Sequence, residues 1–486
     1  MKKHLSIFLA VLFALLLPFT FISCGGEDPE PKIVFITDPP LSGPSFVDYW
    51  KDHDFGTGQW EIRSSYEGID WNTWSQYKSA NHAHTVNSDG RAEMFEALQA
   101  HYDEDYNIVT ITDHVWKGSE GGRRYMDLVT RSWTQSTWTT NRNNFNSTMT
   151  TNVSHITNAQ LNAFQNGTAV SGTRSNGIEG MLMIPNTAEL ALGGPGADEI
   201  NVFFFKGNVP VAWGPAMLKG GLKAVQDDDA ISFINHPGRA TKAMGFPGGA
   251  TDMDNPSNMS VNILRYANLY MEFSSENIVG MEIFNRRDQD SAHDRVLWDN
   301  VNKLTIPEGR FVWGYANDDS HSMSNIGLNF NVFVMPALTT SNFRNAMVKG
   351  QSYMVTYIAM NEGVNVDLRA DPTASDNADF DTPAGTRPTI ESITVDKEND
   401  TITVKSKHAT KIQWVTSTAG TVTAQPTGGR VVRDQSPAPD AEGIITDTFD
   451  LNATHTGDPL GNTFIRVQAI NSTGMAASQP IGIMKK

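Results

Sequence analysis

Two histidines separated by one residue, His82 and His84, form the first pattern in this chain that could do chemistry. A β-strand sends residues i and i+2 to the same face, so an extended "NHAH" segment would point both imidazoles at one spot. Neutral imidazoles that converge in this way are good ligands for zinc, manganese or iron. The pair alone is weak evidence, because histidine pairs also occur on protein surfaces, and a metal site needs further donors nearby.

Five apolar runs predict strands that would position such donors. Continuous β-branched and aromatic runs of this length are typical of strands buried on both faces, as in a parallel sheet. The stretches between them are long enough for crossover helices, and residues 91–101 have the pattern of one. An α/β class follows, either a barrel or a doubly wound sheet. The runs are residues 106–114, 180–190, 230–239, 278–285 and 309–321.

Three more histidines fall at the ends of these predicted strands. His114, His236 and His321 each close one run, next to a carboxylate or a tight turn. Because the carboxyl ends of the strands build the active face of an α/β barrel, we expect these side chains to gather with His82 and His84.

Carboxylates accompany the histidines. Glu189 ends another predicted strand and could be shared by two cations, Asp319 repeats the i, i+2 arrangement with His321, and Asp89 lies in the turn after the first histidine pair. The donor set is mixed nitrogen and oxygen without sulfur, which favours two or three Zn, Mn or Fe ions over a structural thiolate site.

The motifs "HAHTVNSDG", "ITDH", "AEL", "INHPG" and "NDDSH", in that order over residues 68–356, resemble those of the PHP (polymerase and histidinol phosphatase) superfamily of metal-dependent phosphoesterases. The resemblance implies a distorted TIM-like (β/α)7 barrel with a multinuclear metal centre. The ligands it implies are His82, His84, Asp89, His114, Glu189, His236, Asp319 and His321.

One position departs from the family pattern. Many members have a further histidine shortly after the glutamate, whereas this chain has Glu199 or Asn201 there, depending on alignment. A carboxylate could still bind a metal ion, while an asparagine would do so poorly, so the number of ions stays open.

The resemblance implies hydrolysis of a phosphate ester, and the metal centre would supply the activated water that attacks it. His236 or Asp319 would assist the leaving group as catalytic residues. Arg239 and Lys117 are the candidates for binding the substrate phosphate, and Arg286 with Arg287 is a third possibility with no better claim.

The domain organisation follows from changes in composition. Residues 46–370 form the predicted metal-dependent barrel, with a polar insertion at 131–172, and a linker at 371–388 precedes a predicted small all-β, Ig-like sandwich at 389–486. The sandwich is indicated by period-two alternation of apolar and polar residues with frequent turns.

The N-terminus predicts export and lipid anchoring. Residues 1–24 have the pattern of a lipoprotein signal peptide, with two lysines, an apolar run and Cys24 as the lipidated residue, and residues 25–45 form a tether. An uncleaved anchor or a plain signal peptide is the alternative. We therefore expect a location in the bacterial cell envelope, attached to a membrane and either periplasmic or surface-exposed.

The composition of the chain limits the classes of molecule that it is expected to bind. The formal net charge of −17 argues against a nucleic-acid surface, and a small phosphorylated substrate is expected instead. Two other functions stay open: a non-catalytic envelope binding protein on a degenerate PHP barrel, or a metal-dependent hydrolase of a non-phosphate bond. The sequence does not indicate an oligomeric state.

Overall fold

The structure is a computed structural model, and it describes residues 53–116, 154, 156–168, 174, 177, 180–192, 198–205, 216–238, 256–286, 290–357, 360–361, 366–367, 385–417, 428–455, 460–461 and 463–486. The predicted signal peptide with Cys24 and the predicted tether lie outside these residues, as do Lys117 and Arg239. Most of the predicted insertion and of the predicted linker also lies outside them.

The described residues form a mixed α/β fold that is rich in strands. Its strands are β1 Trp60–Arg63, β2 Ser75–Ala80, β3 Ile108–Val109, β4 His114–Trp116, β5 Leu182–Met183, β6 Ala188–Ala191, β7 Glu199–Phe203, β8 Ile231–Asn235, β9 Ile278–Asn285, β10 Trp313–Asn317, β11 Asn329–Met335, β12 Ser352–Thr356, β13 Met360–Asn361, β14 Val366–Asp367, β15 Thr389–Asp396, β16 Thr401–Lys407, β17 Lys411–Thr416, β18 Arg430–Gln435, β19 Ile444–Asp450, β20 Phe464–Asn471, β21 Gly474–Ser478 and β22 Ile481–Lys485.

Six α-helices occur in the described residues, and they are α1 Met94–Asp103, α2 Asn158–Asn166, α3 Ala216–Asp227, α4 Pro256–Glu272, α5 Asp290–Thr305 and α6 Thr340–Lys349. The sequence pattern predicted the first of them at 91–101. None of the helices in this part of the chain has the length and apolar character needed to span a bilayer.

A six-stranded sheet carries most of the predicted strands, in the order β10-β9-β8-β7-β6-β4. Strands β8, β9 and β10 are parallel and fully buried, as their continuous apolar sequences predict. Strand β7 differs, because it runs antiparallel to both β6 and β8. The sheet is therefore mixed rather than parallel.

A second sheet begins with the parallel strands β2, β3 and β5 and continues through β11 and β12. An isolated parallel bridge between Ala83 and Ser320 joins the segments that follow β2 and β10. In the same place the His84 amide donates to the Ser320 carbonyl at 2.9 Å. This bridge brings the carboxyl ends of strands from both sheets together.

The C-terminal region is rich in sheet and is hydrogen-bonded to the rest of the chain. Strand β21 extends the second sheet by pairing with β12, and β22 pairs with β1. Strands β15, β16 and β19 form a separate sheet. Trp60, Tyr353, Ile393 and Trp414 belong to one buried cluster, so residues on both sides of the predicted linker share a core. The domain boundaries themselves stay predictions.

Candidate metal centre

The structure brings together all eight predicted ligands. His82 and His84 follow β2, His236 follows β8, and Asp319 with His321 follows β10. Two placements differ from the prediction: His114 begins β4 rather than closing a strand, and Glu189 is the second residue of β6. The apolar runs at 106–114 and 180–190 each divide between the two sheets, since β3 and β5 belong to one sheet and β4 and β6 to the other.

Four buried donor atoms form the tightest part of the site, and we call them the first donor group: Nε2 of His82, Nε2 of His84, Oε2 of Glu189 and Oδ1 of Asp319. The two imidazole nitrogens lie 3.1 Å apart. The Glu189 oxygen lies 3.1 Å from each of them, and the Asp319 oxygen lies 3.2 and 3.1 Å from them.

These separations fit the coordination sphere of one divalent ion. Donors bound at about 2.0–2.2 Å lie about 3.3–3.6 Å apart in tetrahedral coordination and about 3 Å apart in octahedral coordination. Two imidazoles and two carboxylates also match the ligand preference of Zn, Mn or Fe. The residues present therefore fit a divalent metal ion.

A second donor group consists of Asp89, His114 and His321. Oδ2 of Asp89 lies 3.1 Å from Nε2 of His321 and 3.5 Å from Nε2 of His114. The Asp89 side chain is 40% exposed, so this side of the cluster opens to solvent. His84 lies beside this group, with its Nδ1 3.5 Å from the Asp89 carboxylate.

A third donor group consists of His114, Glu189 and Glu199, and His236 lies beside it. Nε2 of His236 lies 3.4 Å from Oε1 of Glu189 and 3.5 Å from Oε2 of Glu199. Of Glu199 and Asn201, Glu199 is therefore the residue whose side chain reaches the donor atoms of the cluster. Glu189 contributes to the first and third groups, as expected for a carboxylate shared by two cations.

Glu282, in the middle of β9, orients the cluster from behind, and it was not among the residues predicted from the sequence. Its Oε1 accepts from His82 Nδ1 at 2.8 Å and from Asn317 at 2.7 Å. Its Oε2 accepts from the His236 amide at 3.0 Å and from Asn285 at 2.9 Å. Four donors saturate the carboxylate, so Glu282 fixes the tautomer of His82 and leaves Nε2 available to a metal. A lone carboxylate inside a buried apolar strand was the available signal.

Asp113 holds the loop that carries the first ligands. Its carboxylate accepts from the amide and hydroxyl of Thr85 at 2.6 and 2.8 Å and from the Ser88 hydroxyl at 2.7 Å. Gly90 closes the loop, and an added Cβ there would lie 2.6 Å from the backbone carbonyl of His84. The close packing of this loop places His84 and Asp89 beside each other.

Backbone strain is concentrated at the cluster. His236, Arg286 and Asp319 have φ values of 23°, 45° and 45°, in the left-handed region that side chains other than glycine adopt rarely. Such conformations persist only where the surrounding structure enforces them, and they are common at functional sites.

The imidazoles and carboxylates of the cluster shift one another's pKa values. Burial raises the pKa of Glu189, but the His82 and His114 imidazoles outweigh burial and hold that pKa well below its usual range. Burial lowers the pKa of His114, but Glu189 and Asp89 raise it to about 10. The carboxylates therefore stay ionised and create a negative potential that favours protons or metal cations on the donors.

Asp319 is held in the same ionised state. Burial raises its pKa, but Arg286 and His82 outweigh burial and hold the pKa well below its usual range. Such a carboxylate suits a metal ligand better than a proton donor. The catalytic roles of His236 and Asp319 stay predictions.

Arg286 is the cation at the cluster that lies within the described residues. Its Nε is 2.8 Å from Oδ2 of Asp319, and its Nη2 is 3.0 Å from Nδ1 of His321. The sequence alone does not distinguish Arg286 from Arg239 or Lys117, because a charge on a loop is usually a solvated charge.

No family model matches this chain, and no curated protein matches it. Three solved structures are similar to it. The first is a two-domain protein containing a predicted PHP-like metal-dependent phosphoesterase from Bacteroides vulgatus, with 11% identity, a TM-score of 0.35, and coverage of 87% of this chain and 100% of that chain.

The second is PsfC from Pseudomonas syringae, with 11% identity, a TM-score of 0.30, and coverage of 58% of this chain and 92% of that one. The third is the lesion-specific endonuclease PfuEndoQ from Pyrococcus furiosus, with 12% identity, a TM-score of 0.29, and coverage of 56% of each chain. Because these similarities are low, the proposed function rests on the side-chain geometry of the cluster.

Proposed function

We propose that this protein is a metal-dependent phosphoesterase of the PHP type, a hydrolase that holds two or three divalent ions of Mn, Zn or Fe. The observation that supports this most is the first donor group, in which each of the two imidazole nitrogens lies 3.1–3.2 Å from the other and from both carboxylate oxygens, although the residues come from distant parts of the chain. All eight predicted ligands lie in one cluster. This convergence favours a working metal centre over a degenerate barrel that only binds a partner.

A phosphate ester is the substrate class that the charges favour. Bound ions would supply an activated water and neutralise charge on the phosphoryl oxygens. Arg286 lies at the edge of the cluster with its side chain 13% exposed, and its guanidinium has the geometry to contact a phosphoryl oxygen while holding Asp319. A small phosphorylated substrate is proposed, and the net charge of −17 disfavours a nucleic acid.

The scaffold proposed for this site is a distorted, TIM-like (β/α)7 barrel. Supporting features are the parallel order of β8, β9 and β10 and the bridge between Ala83 and Ser320 that links the ends of the two sheets. In such barrels the ligands come from the carboxyl ends of the strands.

The experiment that tests this function is hydrolysis of an aryl phosphate monoester and an aryl phosphate diester by protein loaded with Mn²⁺ or Zn²⁺. We expect turnover of at least one ester, and loss of turnover to background in a His82→Ala, His84→Ala double variant that remains folded. Exposed Glu308→Gln serves as the control variant and should retain full activity. No turnover of either ester by a protein that binds its ions would contradict the proposal.

The location proposed is the bacterial cell envelope, with Cys24 carrying the lipid that attaches the chain to a membrane. The support is the sequence pattern of residues 1–24. Incorporation of labelled palmitate in cells should occur in the wild type and be absent from Cys24→Ala. Equal labelling of both would exclude Cys24 as the lipidated residue.

A further inference from the structure

A cavity of about 280 Å³ lies at the end of β10 that is opposite to the metal centre. Trp313, the first residue of β10, lines this cavity, whereas Asp319 and His321 follow the last residue of the same strand. At about 3.3 Å per residue, the two places are about 20 Å apart along the strand. We infer that the cavity is a second ligand site, and that it binds a small aromatic anion such as an arene carboxylate. This inference goes beyond the proposed phosphoesterase function and does not depend on it.

The cavity is built by segments from distant parts of the chain. Ser64 and Ser65 follow β1, Ser275 precedes β9, Phe311 precedes β10, and Gln351 precedes β12. Small-molecule sites in proteins begin at a volume of about 300 Å³ and combine apolar walls with a few polar groups. The cavity is therefore large enough for a small ligand, and its lining has both kinds of group.

Two aromatic rings form an apolar wall of the cavity. Phe311 and Trp313 are stacked, with ring centroids 5.1 Å apart and an angle of 23° between their planes. The indole Nε1 of Trp313 donates to the Val348 carbonyl at 3.0 Å, so the polar atom of the wall already has a partner. Such a wall favours the flat, apolar ring of an aromatic ligand.

Two polar side chains of the lining are buried without a partner. Ser65 and Gln351 are 7% and 8% exposed. The Ser65 hydroxyl has no hydrogen-bond partner, and the side-chain amide of Gln351 makes no hydrogen bond to any residue in the described part of the chain. Because buried polar groups are normally hydrogen-bonded, these two indicate a ligand with polar atoms of its own. Both can donate, so a carboxylate on the ligand would suit them.

The charges around the cavity favour an anion. Lys349, in the last turn of α6, is exposed beside the cavity and makes no ion pair with a described residue. Arg310 also lines the cavity. The carboxylate of Glu67 is already engaged, since it contacts Lys397 and lies 2.9 Å from Nε2 of His53. Positive charge is thus in excess here, although the whole chain has a net charge of −17, and it complements a negatively charged ligand.

Calorimetric titration of the full-length protein with naphthoate tests this inference, and neutral naphthylmethanol is the matched probe without the charge. A chelator is present throughout, so that naphthoate cannot bind through metal ions. We expect one naphthoate to bind per chain, and naphthylmethanol to bind more weakly. Lys349→Gln should weaken naphthoate by about fivefold, as expected for the loss of one exposed ion pair, and leave naphthylmethanol unchanged. The exposed control Lys405→Gln should bind both probes like the wild type.

A second variant blocks the cavity itself. Ser275 is half-buried in the lining, so Ser275→Trp should fill the space and abolish binding of both probes, whereas Ser436→Trp, at an exposed turn, should not. Circular dichroism establishes that each variant is folded, and Lys349→Gln decides the question if Ser275→Trp is not. The inference is overturned if naphthoate shows no saturable binding, if folded Ser275→Trp binds it like the wild type, or if both probes bind equally well. Because the titration is done without metal ions, these outcomes leave the proposed phosphoesterase function untouched.

Discussion

Replacement of Glu282 by glutamine is the perturbation that probes the cluster most selectively. All four groups that contact this carboxylate are donors: His82 Nδ1 and Asn317 on one oxygen, the His236 amide and Asn285 on the other. A glutamine has one oxygen and one NH2 group, so in either orientation two of the four hydrogen bonds are replaced by contacts between donors.

We expect the Glu282→Gln substitution to lower the affinity for the metal ions. If the amide nitrogen faces His82, its Nδ1 can no longer donate, and the tautomer with the proton on Nε2 removes a ligand atom from the first donor group. If the nitrogen faces the other way, the strained backbone of His236, with its φ of 23°, loses the hydrogen bond that holds it. Partners of this kind contribute about 10–100-fold to metal affinity, which is about 1.4–2.7 kcal/mol.

The assay is a competitive titration with a chelator of known affinity, at constant pH, on Glu282→Gln and on the control Glu308→Gln. Glu308 is exposed, so its substitution should leave metal affinity unchanged. Thermal unfolding in the absence of metal separates a loss of ligand orientation from a loss of fold. Unchanged metal affinity in folded Glu282→Gln would refute the orienting role.

Three further predictions concern stability. Burial lowers the pKa of His101 to about 4, below its ordinary 6.5, so the folded state favours the neutral ring. As the pH falls from 7 to 4, the free energy of unfolding of the wild type should therefore decrease by about 3 kcal/mol more than that of His101→Gln. Parallel pH profiles for the two proteins would contradict this. Gly90→Ala forces a Cβ against the His84 carbonyl. The substitution should lower the melting temperature, by the equivalent of about 1–3 kcal/mol, and should also lower the affinity for the ions. A variant with the wild-type melting temperature and metal affinity would show that the loop adjusts to the added Cβ. Arg466→Met removes the buried cation that contacts Asp299 twice at 2.9 Å and leaves that carboxylate with the Gly429 amide. The substitution should cost about 3–5 kcal/mol in urea unfolding, and a cost below 1 kcal/mol would contradict the importance of the ion pair.

The sequence was most informative about the ligands, because they stand where apolar runs end. His236, Asp319 and His321 follow fully buried strands, so a general property of parallel strands was enough to predict that they meet. The same reasoning predicted β9 over 278–285, and the structure confirms those bounds.

Features that depend on distant pairing were not predictable from local pattern. The role of Glu282 depends on which nitrogen of His82 faces it, and these two residues are 200 positions apart. The antiparallel direction of β7 and the pairing of β12 with β21 likewise have no local signature, since a strand's sequence does not specify its neighbour. Arg286 was not distinguished from other loop cations because its contact with Asp319 exists only in the folded chain.

The central claim is that imidazoles and carboxylates from His82 to His321 hold divalent ions together. Elemental analysis of protein purified after loading with Mn²⁺ or Zn²⁺ tests it most directly. We predict at least two tightly bound ions per chain in the wild type and the loss of at least one of them in His82→Ala, His84→Ala. Fewer than one ion per chain in the wild type, or an unchanged count in the folded double variant, would contradict the claim.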